Sequence, residues 1–139
     1  MPSKRNPLTG NPEPENLKFF LEHLPGEITV INENDVIQFY TLSDPPIFSR
    51  TPDIIGTDVR DCHSPDSLPA IERMITKFRS GENDIAESWF RKGNMYIHTR
   101  YIALRDDEGN YRGMMEFVQD VTRVRKFRKD QRESLFDPE

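Results

Sequence analysis

The sequence holds a single cysteine, Cys62. One thiol cannot close an internal disulfide and cannot by itself anchor a structural zinc site. Long apolar runs are missing as well, since none approaches the roughly 20 residues that a membrane span requires. No basic start leads into an apolar segment of the kind that directs secretion. The seven glycines are scattered, so no glycine-rich loop is there to cradle a phosphate or a dinucleotide. Gly-x-Ser-x-Gly and metal-spaced histidine pairs are also lacking, and His23, His63 and His98 lie far apart. Positive charge is in deficit: the net charge is −5 and the isoelectric point about 5.3, which does not suit a phosphate-backbone partner. Together these absences lead us to expect a cytoplasmic, non-enzymatic protein with no catalytic residues, no metal site, no nucleic-acid partner and no membrane span.

What is present fits one domain. The chain has 139 residues, of which 35% are hydrophobic and 31% charged, lean for a globular protein but enough for a core. Four of the eleven prolines, Pro2, Pro7, Pro12 and Pro14, crowd the first fifteen residues. Residues 1–15 therefore read as a flexible N-terminal arm that dilutes the composition of a better-packed remainder.

Apolar periodicity orders that remainder. Leu17, Phe20, Leu21 and Leu24 have the i, i+3, i+4, i+7 spacing of a helix, which Pro25-Gly26 stops. The β-branched run from Glu27 to Asn32, the turn residues Glu33-Asn34-Asp35 and the run from Val36 to Thr41 predict a hairpin. Short helical pieces are expected around Ile47-Phe48 and Asp53-Ile54-Ile55. A longer helix capped near Asp66 or Ser67 carries Leu68, Ile71, Met74, Ile75 and Phe78 on one face and closes at Ser80-Gly81. Strands are predicted from Asp84 to Phe90, from Met95 to Leu104 and from Tyr111 to Val121. The basic stretch after Thr122 can continue as a connector helix, with the partial apolar stripe Val124, Phe127 and Leu135. Five strands in a two-plus-three split, with helices inserted between, specify an α+β class in which a five-stranded antiparallel sheet carries helices on one face.

Several local motifs in that order resemble the PAS domain family. Ile28 to Ile37 is similar to the family's first hairpin, Ile54-Ile55-Gly56 to the step before its central helix, and His63-Ser64-Pro65-Asp66 to the step that starts that helix. Arg105-Asp106-Asp107-Glu108-Gly109 resembles the turn between its last strands, and Asp120-Val121-Thr122 the Asp-x-Thr that closes the fold. The resemblance covers residues 16–122, leaving 123–139 as a connector helix or tail. Cys62-His63, Ser80 to Trp89 and Ile97 to Tyr101 further resemble the C-terminal PAS module of bacterial hemerythrin-like proteins of unassigned function. The resemblance implies a PAS fold and a sensory, signalling or protein-interaction role. A small ligand would sit between sheet and helices, and a homodimer or output partner would be reached through the terminal helices.

Candidate site residues follow from strand alternation and from chemistry. Tyr96, His98 and Arg100 share one face of a long strand, and Trp89 on the neighbouring strand can join them. If that face lines the cavity, the four form a ligand site suited to a small anion or carboxylate; if it faces solvent or a partner, they are ordinary surface residues. The opposite face, Ile97, Thr99, Tyr101 and Ala103, is about as apolar, so periodicity does not decide. Cys62 and His63 are candidates for a cofactor-linked role, and haem is possible through either. Flavin is disfavoured, because Asp61-Cys62-His63-Ser64-Pro65 lacks the Asn, Arg and Gln of the flavin-binding branch and Val118 stands where its strand glutamine would be. The sequence requires no cofactor. A ligand-free dimerisation module and a haem or redox sensor remain as alternatives.

Overall fold

Asp35 turns the first hairpin in the left-handed region at φ 66°, a conformation that Asp tolerates because its short polar side chain bonds locally. It joins β1, Glu27–Asn32, to β2, Ile37–Tyr40. The computed structural model describes residues 8–136. Helix α1, Pro14–Glu22, precedes the hairpin, with its proline in the first turn where no backbone donor is needed. Three 3-10 turns follow β2, at Pro52–Ile54, Val59–Cys62 and Pro65–Ser67. They lead into α2, Leu68–Ser80, which Gly81 ends at φ 82°. The strands β3, Ile85–Lys92, β4, Met95–Arg105, and β5, Tyr111–Asp120, complete the chain's regular structure, apart from a last 3-10 turn at Val124–Lys126.

The five strands form one antiparallel sheet in the order β2-β1-β5-β4-β3. Its α+β architecture is the one expected from the sequence. One sheet face carries α2. Ile71, Ile75 and Phe78 of that helix pack against Ile31, Ile37, Val59 and Met114. Phe78 is only 1% exposed, and burying a side chain of that size stabilises the fold by roughly 1.5–3 kcal/mol. A second cluster, Ile47, Ile97 and Val118 with Phe48 and Met95, pins the loop after β2 to the other end of the same face.

Three expectations are corrected. No helix forms at Ile47-Phe48, because the backbone amides of both residues donate instead to the buried Glu27 carboxylate, at 2.8 and 3.2 Å. The connector helix is reduced, among the described residues, to the single turn Val124–Lys126, and its last three residues, 137–139, lie outside them. Arg123, Arg125, Lys126, Arg128 and Lys129 repel one another there, and no buried contact repays the cost of helix nucleation. Residues 1–7 of the N-terminal arm also lie outside the described residues, while α1 begins inside that arm. Helix α1 buries none of its residues, and Leu17, Phe19, Phe20 and Leu21 are exposed.

Candidate functional site

Strand register brings Thr29, Glu116 and Tyr101 into one row across β1, β5 and β4. The row lies between the two apolar clusters, on the face that α2 covers. Apolar residues flank it along each strand: Ile31 on β1, Met114 and Val118 on β5, Ile97 on β4. A polar row at core depth is costly unless it is paired. Arg50, from the loop after β2, supplies the pairing. Its Nη2 donates to Glu116 Oε1 at 2.6 Å, and its Nη1 lies 3.9 Å from Glu27 Oε1.

Glu27 is fully buried and is satisfied by the loop it organises. It accepts from the Ser43 backbone and hydroxyl at 3.1 and 3.0 Å and from the amides of Ile47 and Phe48. Glu116 takes the Arg50 guanidinium, and Tyr101 stands opposite it in the strand register. Burial, reinforced by the adjacent Glu116 carboxylate, pushes the Tyr101 phenol well above its ordinary value. Two buried polar atoms in this cluster have no hydrogen-bond partner: Thr29 Oγ1 and Arg50 Nη1.

Thr29, Arg50, Tyr101 and Glu116 form the polar wall of a cavity between sheet and helices. Its inner chamber, of about 40 Å³, is otherwise walled by apolar residues, among them Ile37, Ile54, Ile71, Met74 and Met114. Arg50, Ile54, Cys62, His63, Tyr101 and Glu116 also line an outer mouth of about 550 Å³. There Phe48 and Phe90 stack with ring centres 6.3 Å apart, and Asp61, Ser67 and Thr99 complete the rim.

Cys62 and His63, the candidates for a cofactor-linked role, therefore stand at the cavity wall, the cysteine exposed and the histidine half-buried. The inner chamber is far smaller than a tetrapyrrole or a flavin ring, so a haem held by His63 would have to lie in the mouth. Among the described residues, no three His, Cys, Asp or Glu side chains converge in a way that could hold a metal ion.

Trp89, Tyr96, His98 and Arg100 do not line the cavity. Strand alternation gives the inward positions of β4 to Thr99 and Tyr101, so His98 and Arg100 point from the opposite face. The register does bring the group together. Trp89 pairs with His98, whose Nε2 sits 2.6 Å from Glu87 Oε2. Tyr96 lies under the Arg125 guanidinium at 3.6 Å, with Arg91 at 5.7 Å. Trp89 itself is 60% exposed. The residues that sequence reasoning missed are Glu27, Thr29, Arg50 and Glu116. A charge inside the apolar strand run Met114 to Val118 is the one signal that could have found them.

The closing Asp-x-Thr has a physical role visible here. Asp120 Oδ1 accepts from the Thr122 amide and hydroxyl, at 3.0 and 2.5 Å, and Thr122 Oγ1 accepts from the Tyr96 amide at 2.7 Å. The end of β5 is thereby tied to the start of β4.

The sheet, the helix α2 over one of its faces and the cavity between them define an α+β module. A PAS domain model matches residues 17–122, and the chain belongs to the PAS domain family. Among solved structures, the chain is similar to a C-terminal domain from Streptococcus mutans, at 29% identity and a TM-score of 0.79 over 89% of this chain and 96% of that one. It is also similar in fold to a PAS domain from Colwellia psychrerythraea, at 12% identity and a TM-score of 0.59 over 78% and 96%. The PAS domain of BvgS from Bordetella pertussis matches at 15% identity and a TM-score of 0.58 over 80% and 88%. No curated protein matches the chain significantly. PAS domains are in general sensory, non-catalytic modules. No helix among the described residues is long and apolar enough to cross a membrane.

Proposed function

We propose that this chain is a non-catalytic, cytoplasmic sensor module that binds a small molecule in the cavity between its sheet and α2. The observation that carries this reading is the polar cluster of Thr29, Arg50 and Glu116 at the wall of an otherwise apolar chamber. Such a combination, an apolar pocket with a few convergent polar groups, is what a ligand site requires. Occupancy would shift the packing of β4 and β5, which carry Tyr101 and Glu116, and the Thr122–Tyr96 tie would pass that shift to the segment after β5. The narrower likeness to the PAS module of hemerythrin-like proteins belongs to this proposal. Native mass spectrometry and absorbance of the purified protein test it. A retained mass or a chromophore band supports sensing; a colourless protein of bare mass that also takes up nothing from a small-molecule library refutes it.

Dimerisation or partner docking is the second reading, favoured by the exposed apolar residues of α1 and by exposed Trp89 on the outer sheet face. In this reading Trp89, Tyr96, His98 and Arg100 contact protein rather than a small molecule. A haem or redox role for His63 or Cys62 rests on their place at the cavity wall. Haem titration giving the same spectrum for wild type and His63→Ala would remove it.

A further inference from the structure

The class of ligand can be read from which hydrogen-bonding capacity the cavity leaves open, an inference that rests on the cavity reading above. Glu27 has four donors, and Glu116 has Arg50. Neither Glu116 in the inner chamber nor Glu27 behind it is left without a donor. The open groups are Arg50 Nη1, which can only donate, and the hydroxyl of Thr29, which can donate or accept. Thr29 is 5% exposed, and both residues line the inner chamber.

Charge narrows the choice further. The charged side chains lining the chamber and mouth are Arg50, Glu116 and Asp61, and Glu27 stands behind Arg50. Three carboxylates against one guanidinium disfavour an anion at low dielectric. A cation would find no unengaged carboxylate in the inner chamber. We propose that the cavity takes an uncharged, mostly apolar molecule whose single acceptor oxygen, of the carbonyl type, is held by Arg50 Nη1 and Thr29 Oγ1. The inner chamber is large enough for a small group such as an acetyl, and the mouth beside Phe48 and Phe90 for a flat ring. Such an oxygen would give an acceptor to two buried groups that have no hydrogen-bond partner within the protein. An analogue without the oxygen would leave both unpaired, and a site built this way rejects it.

The test uses four probes of one size on the full chain: acetophenone, benzoate, benzylammonium and ethylbenzene. Binding is followed by the methyl NMR signals of Ile54, Ile71, Met74 and Met114. Acetophenone is expected to shift these signals saturably and to bind about tenfold more tightly than each of the other three. Thr29→Val should lower acetophenone to the level of ethylbenzene, while Thr29→Ser, which keeps the hydroxyl, should restore it. The methyl spectrum of each variant also reports whether it is folded. If benzoate, benzylammonium or ethylbenzene binds as well as acetophenone, or if Thr29→Val changes nothing, the ligand class is overturned while the cavity reading stands. If none of the four probes moves the cavity methyls, the ligand class is overturned, and the retained-mass and library measurement above decides the cavity reading separately.

Discussion

Arg50 Nη2 donates to Glu116 Oε1 at 2.6 Å across the cavity wall, joining the loop after β2 to the centre of the sheet. The pair is largely buried, with Arg50 and Glu116 side chains 16% and 9% exposed. Removing one member strands the other's charge, at a cost of about 3–5 kcal/mol. Arg50→Met and Glu116→Leu should each lower the urea midpoint accordingly. The double variant should recover most of the loss, because the apolar pair needs no partner. A double variant as unstable as the sum of the singles would show that the two groups do not act as a pair.

The alkaline limb of stability should come from buried phenols. Burial raises the pKa values of Tyr101 and Tyr111 in the folded state, with Glu116 and Asp35 adding to the effect at each. A raised folded value means that the stabilisation is complete below the ordinary phenol value of 10.0 and is lost as pH rises above it. Urea unfolding at pH 9 and pH 11 should show this fall, and Tyr101→Phe should flatten it. Phenolate absorbance from Tyr101 appearing before the protein unfolds would contradict the assignment.

Asp35 works as a hub. The residue is 4% exposed, and its carboxylate accepts from Arg60 Nη1 at 2.9 Å and Arg79 Nη2 at 2.7 Å. It so ties the first hairpin to the 3-10 turn at Val59–Cys62 and to α2. Asp35→Asn keeps a residue that tolerates positive φ and should cost about 1–3 kcal/mol through the weakened bonds. Asp35→Ala loses both the bonds and the tolerance, so it should be the less stable of the two in chemical denaturation.

Thr122→Val should loosen the end of the sheet without unfolding it. The Tyr96 amide loses its acceptor, Thr122 Oγ1, and the Asp120 clasp opens. Hydrogen exchange at the Tyr96 amide should accelerate strongly, while global stability falls by only about 1 kcal/mol. Unchanged protection of that amide would mean that the clasp does not hold the strands.

If α1 serves a second copy of the chain, light scattering should find a dimer whose dissociation is promoted by Phe20→Lys. Phe20 is 56% exposed and makes no buried contact within the chain, so the substitution should leave the melting temperature of the monomer nearly unchanged. A wild-type protein that stays monomeric at high concentration would remove this role for the helix.

Much of the fold was legible in local pattern. The i, i+3, i+4 spacing of Ile71, Met74, Ile75 and Phe78 anticipated α2 and the face it buries. The turn residues around Asp35, Gly93 and Gly109 anticipated where strands reverse, because those positions need positive φ. The loop after β2 was not legible, since its backbone geometry depends on a carboxylate twenty residues earlier in the chain. The basic tail after Thr122 carried a weak apolar stripe that suggested a helix, but Val124, Phe127 and Leu135 are exposed.

The sequence by itself determined the element order, the PAS family and the exclusion of an internal disulfide, because these depend on local pattern and on counts. It could not choose between the two faces of β4. Tyr96, His98 and Arg100 alternate with Thr99 and Tyr101, and both sets are about equally apolar. Only the pairing of β4 with β5, and the placement of α2 over one side, decided that Tyr101 and Glu116 face the cavity while His98 and Arg100 face outward. Burial is a property of neighbours far apart in the chain, so the site on Thr29, Arg50 and Glu116 came into being only when three separate segments met.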